Sequence, residues 1–481
     1  MPNLNCTGQG ELDLGVIDFG RLGRREVQGR FDGGSMTSDA GVMLLSAADR
    51  KLGLTAAAAR CIADPRNPLL IKHAVRDMLR QRVYGLALGW EDLNDHKALR
   101  LDVAMQTAVG VDREVASAPT LCRLESWADR ATAVRLREEL VEQFIASFKT
   151  APKELVLDFD ATDNPLHGQQ EGRFFHGYYD HYCYLPLYIF CGRHLLCAKL
   201  RPANIDGAAG AKEEVTRIVE QIRARWPETR IILRADSGFA REGLMAWCEG
   251  NGVDYVFGLA RNRRLERWLQ PTLERVAEQV AVRGQAAREF LERSYRTLTS
   301  WSCARRVVGK AEVTTLGSNP RFVVTSLSVQ AWDARALYED LYCARGEMEN
   351  RIKEAQLELF ADRTSTHLFR ANQLRLWFSS FAYTLIEALR RLGLAQTQFA
   401  RAGANRIRLC LLKIGAVGVC ASDVHYYEEG AIGDAVIKEP LVLGHEISGT
   451  VIACGEGCED WQGRQVVVPA VLPCGECELC A

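Results

Sequence analysis

Two carboxylates close a strand-like run in "LVLDFDATDNPLHG": Asp158 and Asp160, two residues apart and so on one face of a strand. The rest of that strand is Leu, Val and Phe. Acids in such a run need a reason, because a buried carboxylate is costly unless it is paired or holds a metal. Another acid, Asp236, ends the hydrophobic run "RIILRADSGF". Glu349 lies in "YCARGEMENRIKE". At about 100° per residue, Tyr342, Arg345, Glu349 and Lys353 share one helix face there, and Glu347 points away. Three converging carboxylates suit two Mg2+ ions about 4 Å apart, the arrangement for in-line attack on a phosphodiester.

Each of these groups also has a structural reading. Asp158 and Asp160 can tie a strand-end turn. Asp236 can be a helix N-cap. The Tyr-Arg-Glu-Lys stripe can be an ion-paired, solvated face. A second kind of chemistry stands in "VLPCGECELCA", where Cys474, Cys477 and Cys480 have metal-ligand spacing. A tetrahedral all-cysteine zinc site needs a fourth thiolate.

The elements that must position the acids are legible from periodicity. Residues 35–150 read as mostly helical, with apolar residues at three- and four-residue spacings in "NPLLIKHAVRDMLRQRVYGLALG" and a helix start at Ser117-Ala-Pro. From Lys153 the order is three strands, helix, strand, helix, strand, with Cys191-Gly192 turning the second strand into the third. That is an α/β unit with an antiparallel start and a parallel remainder. Residues 262–330 read as irregular and β-leaning, and long helices follow.

The 481 residues have an ordinary globular balance, 47% hydrophobic and 25% charged. No apolar run of about 18 residues and no signal-like N-terminus is seen, so the expectation is a cytoplasmic chain without a membrane span. Sixteen cysteines then read as thiols or metal ligands. The near-zero net charge hides a seam. Residues 1–412 carry 57 Lys and Arg against 50 Asp and Glu, and residues 413–481 carry 3 against 11. The first part is compatible with a nucleic-acid partner, and the acidic tail is the wrong sign for one.

The "LDFDAT" strand end, "RADSGF" and the Tyr-x2-Arg-x3-Glu helix together resemble insertion-sequence transposases of the DDE superfamily, in the branch with a β-rich insertion between the second and third acids. "DGGSMTSDAGVMLL" and "QRVYGLALGWEDLNDHKALRLD" fit the same likeness, which covers roughly residues 15–415. The resemblance implies an RNase H-like fold and cut-and-paste chemistry. Its catalytic, Mg2+- or Mn2+-holding acids would be Asp160, Asp236 and Glu349. Asp158 competes for the first place, and Tyr342, Arg345 and Lys353 support. The family often has Lys seven residues after the Glu, where this chain has Gln356. DNA partners would be terminal inverted repeats and target DNA, bound by a homodimer. Trp268 and Trp301 are candidates for a ring that stacks a flipped base, or else core residues of the insertion.

The tail resembles the N-terminal part of zinc-containing medium-chain alcohol and polyol dehydrogenases of the sorbitol and xylitol type. "GVCASD", "LGHEISG" and the final cysteines carry that likeness. It implies catalytic-zinc positions at Cys420, His445 and Glu446, and three of four structural-zinc cysteines at Cys474, Cys477 and Cys480, with the fourth expected beyond Ala481. No G-x-G-x-x-G follows a strand, so no nicotinamide domain is recognisable.

The expected domains are a helical DNA-binding and assembly region at 1–150 and a catalytic domain at 151–395 with its insertion at 262–330. A transposase remnant at 396–416 and a truncated GroES-like β fragment at 417–481 complete the chain. The rival readings are an inactive DNA-binding remnant and a zinc-dependent polyol dehydrogenase.

Overall fold

The computed structural model describes residues 17–22, 25–29, 36–127 and 129–413, and then short strands up to Gln465–Val468. A hairpin of Ile17–Leu22 and Arg25–Gly29 comes first, and residues 42–146 are then mostly helical, as their periodicity predicts. Helix α1 (Val42–Leu52) buries Val42, Leu45 and Ala48 and stops at Gly53, whose φ of 68° only glycine adopts without cost. Helices α2 (Leu54–Cys61), α3 (Val75–Leu88) and α4 (Val103–Val109) follow. Helix α5 (Ala118–Ser126) begins after Ser117 with Pro119 in its first turn. Helix α6 (Arg130–Ala146) is capped by Asp129, whose side chain accepts from the Thr132 amide.

After residue 153 a small three-stranded sheet (Asn164–Pro165, Phe174–His176, His181–Tyr184) accompanies one large sheet. The strands of the large sheet are β1 (Glu154–Ala161), β2 (Leu187–Cys191), β3 (His194–Lys199), β4 (Arg230–Ala235), β5 (Asp254–Leu259), β6 (Ala287–Tyr295), β7 (Arg305–Thr314) and β8 (Arg321–Thr325). They lie in the order β6-β7-β8-β5-β4-β1-β2-β3, and Gly317–Ser318 adds a short ninth strand on β7. β4 is parallel to both β1 and β5, and every other pairing is antiparallel. The expected antiparallel start and parallel continuation are both present. The helices between are α7 (Ala211–Arg225) and α8 (Glu242–Gly250).

One stretch corrects the reading of residues 262–330 as irregular and β-leaning. Arg263–Arg283 is a 21-residue helix, α9, and only then do the β6, β7 and β8 strands extend the sheet. Asn262 caps it by accepting from the Arg264 and Leu265 amides. Leu265, Leu269, Leu273 and Val276 form the buried stripe of three- and four-residue spacings. Pro271 inside the helix and a high density of arginine obscure that stripe in the sequence.

Strand alternation decides which residues meet which layer. Leu155, Leu157 and Phe159 of β1, with Ile231, Leu233 and Ala235 of β4, face the core shared with α6 to α9. On the other face, Ile232, Val256, Val308 and Val323 pack against Leu337, Tyr338 and Leu341. Those three belong to a helical run that changes pitch: a π turn at Leu337–Tyr342, a 3-10 turn at Cys343–Arg345, helix α10 (Gly346–Lys353), and a second π turn at Glu354–Glu358. Such pitch changes recur at functional sites.

Helix α11 (Phe369–Leu392) joins the two halves, since its apolar face shares one core with the N-terminal helices and with Tyr188, Phe190 and Leu195. The chain then returns. Ala404, Ile407 and Leu412 are fully buried, and Arg408 Nε donates to the Ala87 carbonyl at 3.0 Å. Among the described residues no helix is long and apolar enough to cross a membrane.

Candidate active site

Even-numbered residues of β1 point toward the pitch-changing helix, so Asp158 and Asp160 lie beneath it. Their surroundings differ. Asp158 is buried, and Arg234 of β4 clasps it with Nε to Oδ1 at 2.5 Å and Nη2 to Oδ2 at 2.8 Å. The third arm of Arg234 donates to the Leu341 carbonyl at 2.5 Å, tying the helix to the sheet. Both oxygens of Asp158 are therefore committed.

Asp160 sits at the end of β1 with one oxygen accepting from the Ala161 amide at 2.8 Å and the other meeting Arg345 Nη1 at 3.1 Å. Burial raises its carboxyl pKa to about 6, the Asp236 charge adds to this, and Glu349 contributes while Arg345 opposes. Asp160 thus feels both other acids. Asp236 ends β4, the strand beside β1, and its Oδ1 accepts from the Gly238 amide at 2.9 Å. The N-cap reading of Asp236 is geometrically correct for the short 3-10 turn Ser237–Phe239 and leaves its other oxygen outside the cap.

Glu349 stands on α10, half exposed, and accepts from Arg345 Nη2 at 2.8 Å. Arg345 therefore bridges Asp160 and Glu349. Tyr342 packs over Gly258 of β5. Burial raises its phenol pKa, Arg345 opposes this and Asp236 adds to it. A Cβ at position 258 would lie 2.6 Å from the Tyr342 hydroxyl and 2.8 Å from the Ser237 amide nitrogen, so only glycine allows this approach. Lys353 is exposed one turn beyond Glu349. Gln356 is occupied elsewhere, donating to the Asp163 carbonyl at 3.0 Å and to Asn164 Oδ1 at 2.8 Å.

Among the described residues no three His, Cys, Asp or Glu side chains form a ready metal cage. Around Asp160 the cation present is the Arg345 guanidinium. The donor set still fits a divalent ion. Burial first and then repulsion from Asp236 and Glu349 raise the Asp160 carboxyl pKa, and a dication relieves both more than one guanidinium does.

Trp301 is a core residue, and Trp268 is partly buried at the edge of the same core with Arg293 over its ring at 5.4 Å. Trp301 is 5% exposed and meets Tyr295 edge-on at 5.7 Å, and the Trp268 ring lies against Gly309. The zinc candidates Cys420, His445, Glu446, Cys474, Cys477 and Cys480 lie outside the described residues. Sequence reading missed Arg234, whose signal was its place two residues before Asp236, and Gly258, a glycine inside an otherwise apolar strand.

Residues 19–423 match the family described as Transposase DDE domain group 1, and residues 408–481 match the alcohol dehydrogenase GroES-like domain. The two matches overlap at the charge seam. The tail is 44% identical over 71 residues to the sorbitol dehydrogenase of Bacillus subtilis (strain 168), covering 15% of this chain and 20% of that protein. It is 48% identical over 71 residues to that of Gallus gallus, with the same coverage. It is also 44% identical over 70 residues to L-idonate 5-dehydrogenase (NAD(P)(+)) of Escherichia coli (strain K12), again 15% and 20%. The chain thus spans about a fifth of the length of the curated relatives it matches. The larger match covers most of the sequence, and the chain belongs to the transposase DDE domain group 1 family, carrying a GroES-like alcohol dehydrogenase segment at its C-terminus.

Proposed function

We propose that this chain is a DNA transposase that cuts transposon ends and transfers the freed strands to target DNA, working as a homodimer on two ends. The observation that carries this reading is geometric: Asp160 and Asp236 stand at the ends of adjacent parallel strands, and Arg345 ties Asp160 to Glu349 on the facing helix. The sheet order β3-β2-β1-β4-β5, with only β1, β4 and β5 parallel, supports an RNase H-like core.

Asp160, Asp236 and Glu349 would hold the divalent ions. Bound there, such ions supply an activated water and stabilise the leaving oxygen. The chain's own groups do the rest. Arg345 leaves Asp160 and pairs with a phosphate oxygen, for which its planar fork is suited. Lys353 offers a second cation one turn away. Tyr342, pinned over Gly258, fixes the distance between the helix and the Asp236 strand end.

An end-cleavage assay with Mg2+ tests the reading. Asp236→Asn is expected to bind end DNA and fail to cut it, because phosphate contacts supply much of DNA affinity and the amide loses only the metal-binding charge. A wild-type chain that binds ends and never cuts them favours the inactive remnant instead. We read the tail as a passenger. Any zinc it holds would sit on its clustered thiolates, and hydride transfer is not assigned to it.

A further inference from the structure

One strand beyond Asp236, β5 leaves the sheet through Gly258, Leu259, Ala260 and Arg261. Leu259 pairs with Phe322 of the antiparallel β8, which brings Arg321, at the start of β8, to the same end of the sheet as Arg261. Between them opens a cleft of about 230 Å3. Tyr338 and Tyr342 wall it, and Ser237 and Gly258 lie at the side toward Asp236. The missing side chain at Gly258 keeps the cleft open to the acid, since a Cβ there would meet both the Tyr342 hydroxyl and the Ser237 amide.

The two arginines differ from most of their neighbours, although Arg293 of β6 also lacks a carboxylate partner among the described residues and lies over the Trp268 ring at 5.4 Å. On the same sheet extension Arg288, Arg305 and Arg306 are each paired with a glutamate, at 2.7, 2.6 and 2.5 Å. The Arg261 and Arg321 guanidiniums have no carboxylate or hydrogen-bond partner among the described residues. They are two free forks beside a cluster of acids, whose own charge repels a phosphate chain. A polyanion that must approach Asp160, Asp236 and Glu349 needs compensating cations next to them. The guanidinium fork matches phosphate oxygens in two places, and tyrosine rings accept the faces of sugars and bases.

Resting on the transposase reading above, we propose that this cleft is a DNA-backbone subsite. It takes the phosphates of the strand flanking the bond to be cut, with Arg261 and Arg321 as its cations. Each contacts one phosphate, and Tyr342 faces the backbone between them.

The test measures binding of the full chain, without divalent metal, to a duplex carrying the terminal inverted repeat and to a random duplex of equal length, across a salt series. Each lost phosphate contact lowers the slope of log K against log salt by about 0.9 on duplex DNA. The Arg261→Gln/Arg321→Gln double variant is expected to lose about 1.8 from the slope on both duplexes and to bind at least roughly tenfold more weakly at low salt. Arg261→Lys/Arg321→Lys keeps the charges and is expected to recover most of the slope. Arg283→Gln, at the exposed end of α9, should leave the slope unchanged. A double Gln variant with the wild-type slope overturns the proposal. So does a loss matched by Arg283→Gln, which indicates diffuse surface charge. A wild-type chain that binds neither duplex overturns the transposase reading itself, and with it the subsite.

Discussion

Arg234 holds Asp158 by both oxygens, at 2.5 and 2.8 Å, and spends its last arm on the Leu341 carbonyl. A carboxylate so fully paired is a structural element: it staples the pitch-changing helix to the sheet. Among the described residues Asp160, two residues on, accepts only from its neighbour's amide at 2.8 Å and from Arg345 at 3.1 Å, and two acids repel it. Neighbours on one strand face thus divide into a clamp and, on the proposed function, a metal-holding carboxylate, and the two should respond to mutation in opposite ways.

Asp158→Ala leaves the Arg234 charge buried and unpaired, which costs about 3–5 kcal/mol. Asp160→Asn removes a repelled charge and is expected to leave stability unchanged or raised while abolishing cleavage. Chemical denaturation and end cleavage, run on both variants, read the two effects. A stable Asp158→Ala protein that has lost only its cleavage would exchange the two roles.

Gly258→Val tests the close approach of three elements. Its side chain collides with the Tyr342 hydroxyl and with the Asp236–Ser237 backbone, neither of which can step aside without moving the acid. Overpacking of this kind costs about 1–3 kcal/mol, and a shift near 1 Å in a reacting group can cost roughly 100-fold in rate. Cleavage should therefore fall far more than thermal stability. Unchanged cleavage would show that the position of Tyr342 over β5 is irrelevant to the chemistry.

Much of this site is legible in the sequence because strand ends and helix faces are local features. "LDFDAT", "RADSGF" and the spacing from Tyr342 to Glu349 each announce an acid at a defined place on an element. What is not legible depends on pairing across distant elements. Nothing in the sequence says that Arg234 and Asp158 are opposite one another in a parallel register, or that Arg345 spans Asp160 and Glu349. The α9 helix was hidden by Pro271, and the fates of Trp268 and Trp301 by the fact that an indole looks the same in a core and in a DNA groove. Arg261 and Arg321 become a pair only through the β5–β8 register.

Acid stability has a separate source in His194, packed between Phe144 and Phe148 at ring-centroid distances of 5.3 and 6.0 Å. Burial, with help from Arg391, pulls its pKa down to about 4 from the usual 6.5. A depressed histidine is neutral when folded and takes a proton more readily when unfolded. Its stability contribution is complete above pH 6.5 and is lost as pH falls toward 4. The loss over that window is on the order of 3 kcal/mol. Relative to His194→Leu, the wild-type unfolding midpoint should fall as pH drops from 7 to 4. Parallel curves would rule His194 out as the source.

The transposase-family part of the chain stays packed on the helical core as far as Lys413. Lys413 Nζ lies 2.7 Å from Oδ1 of the buried Asp39 and 4.2 Å from the Trp90 ring, and Trp90 Nε1 donates to the other Asp39 oxygen at 2.9 Å. Just before it, Ala404, Ile407 and Leu412 are fully buried, and just after it Val417 pairs with Thr37. The chain is therefore committed to the helical core through the charge seam, and a cut after Gly418 removes none of these contacts. A chain ending at Gly418 is expected to match the full-length protein in unfolding midpoint and end cleavage. Ending it at Arg401 exposes the sites of Ile407 and Leu412, each worth roughly 1.5–3 kcal/mol of burial. It also strips the Ala87 carbonyl and Asp39 of their cationic partners, so this variant should be insoluble or unfolded. Lys413→Ala alone should cost about 1–3 kcal/mol, the usual loss when a buried charged group forfeits a partner. If the Gly418 truncation loses cleavage and added zinc restores it in the full-length chain, the dehydrogenase-like segment contributes to the transposase, and its reading as a passenger is wrong.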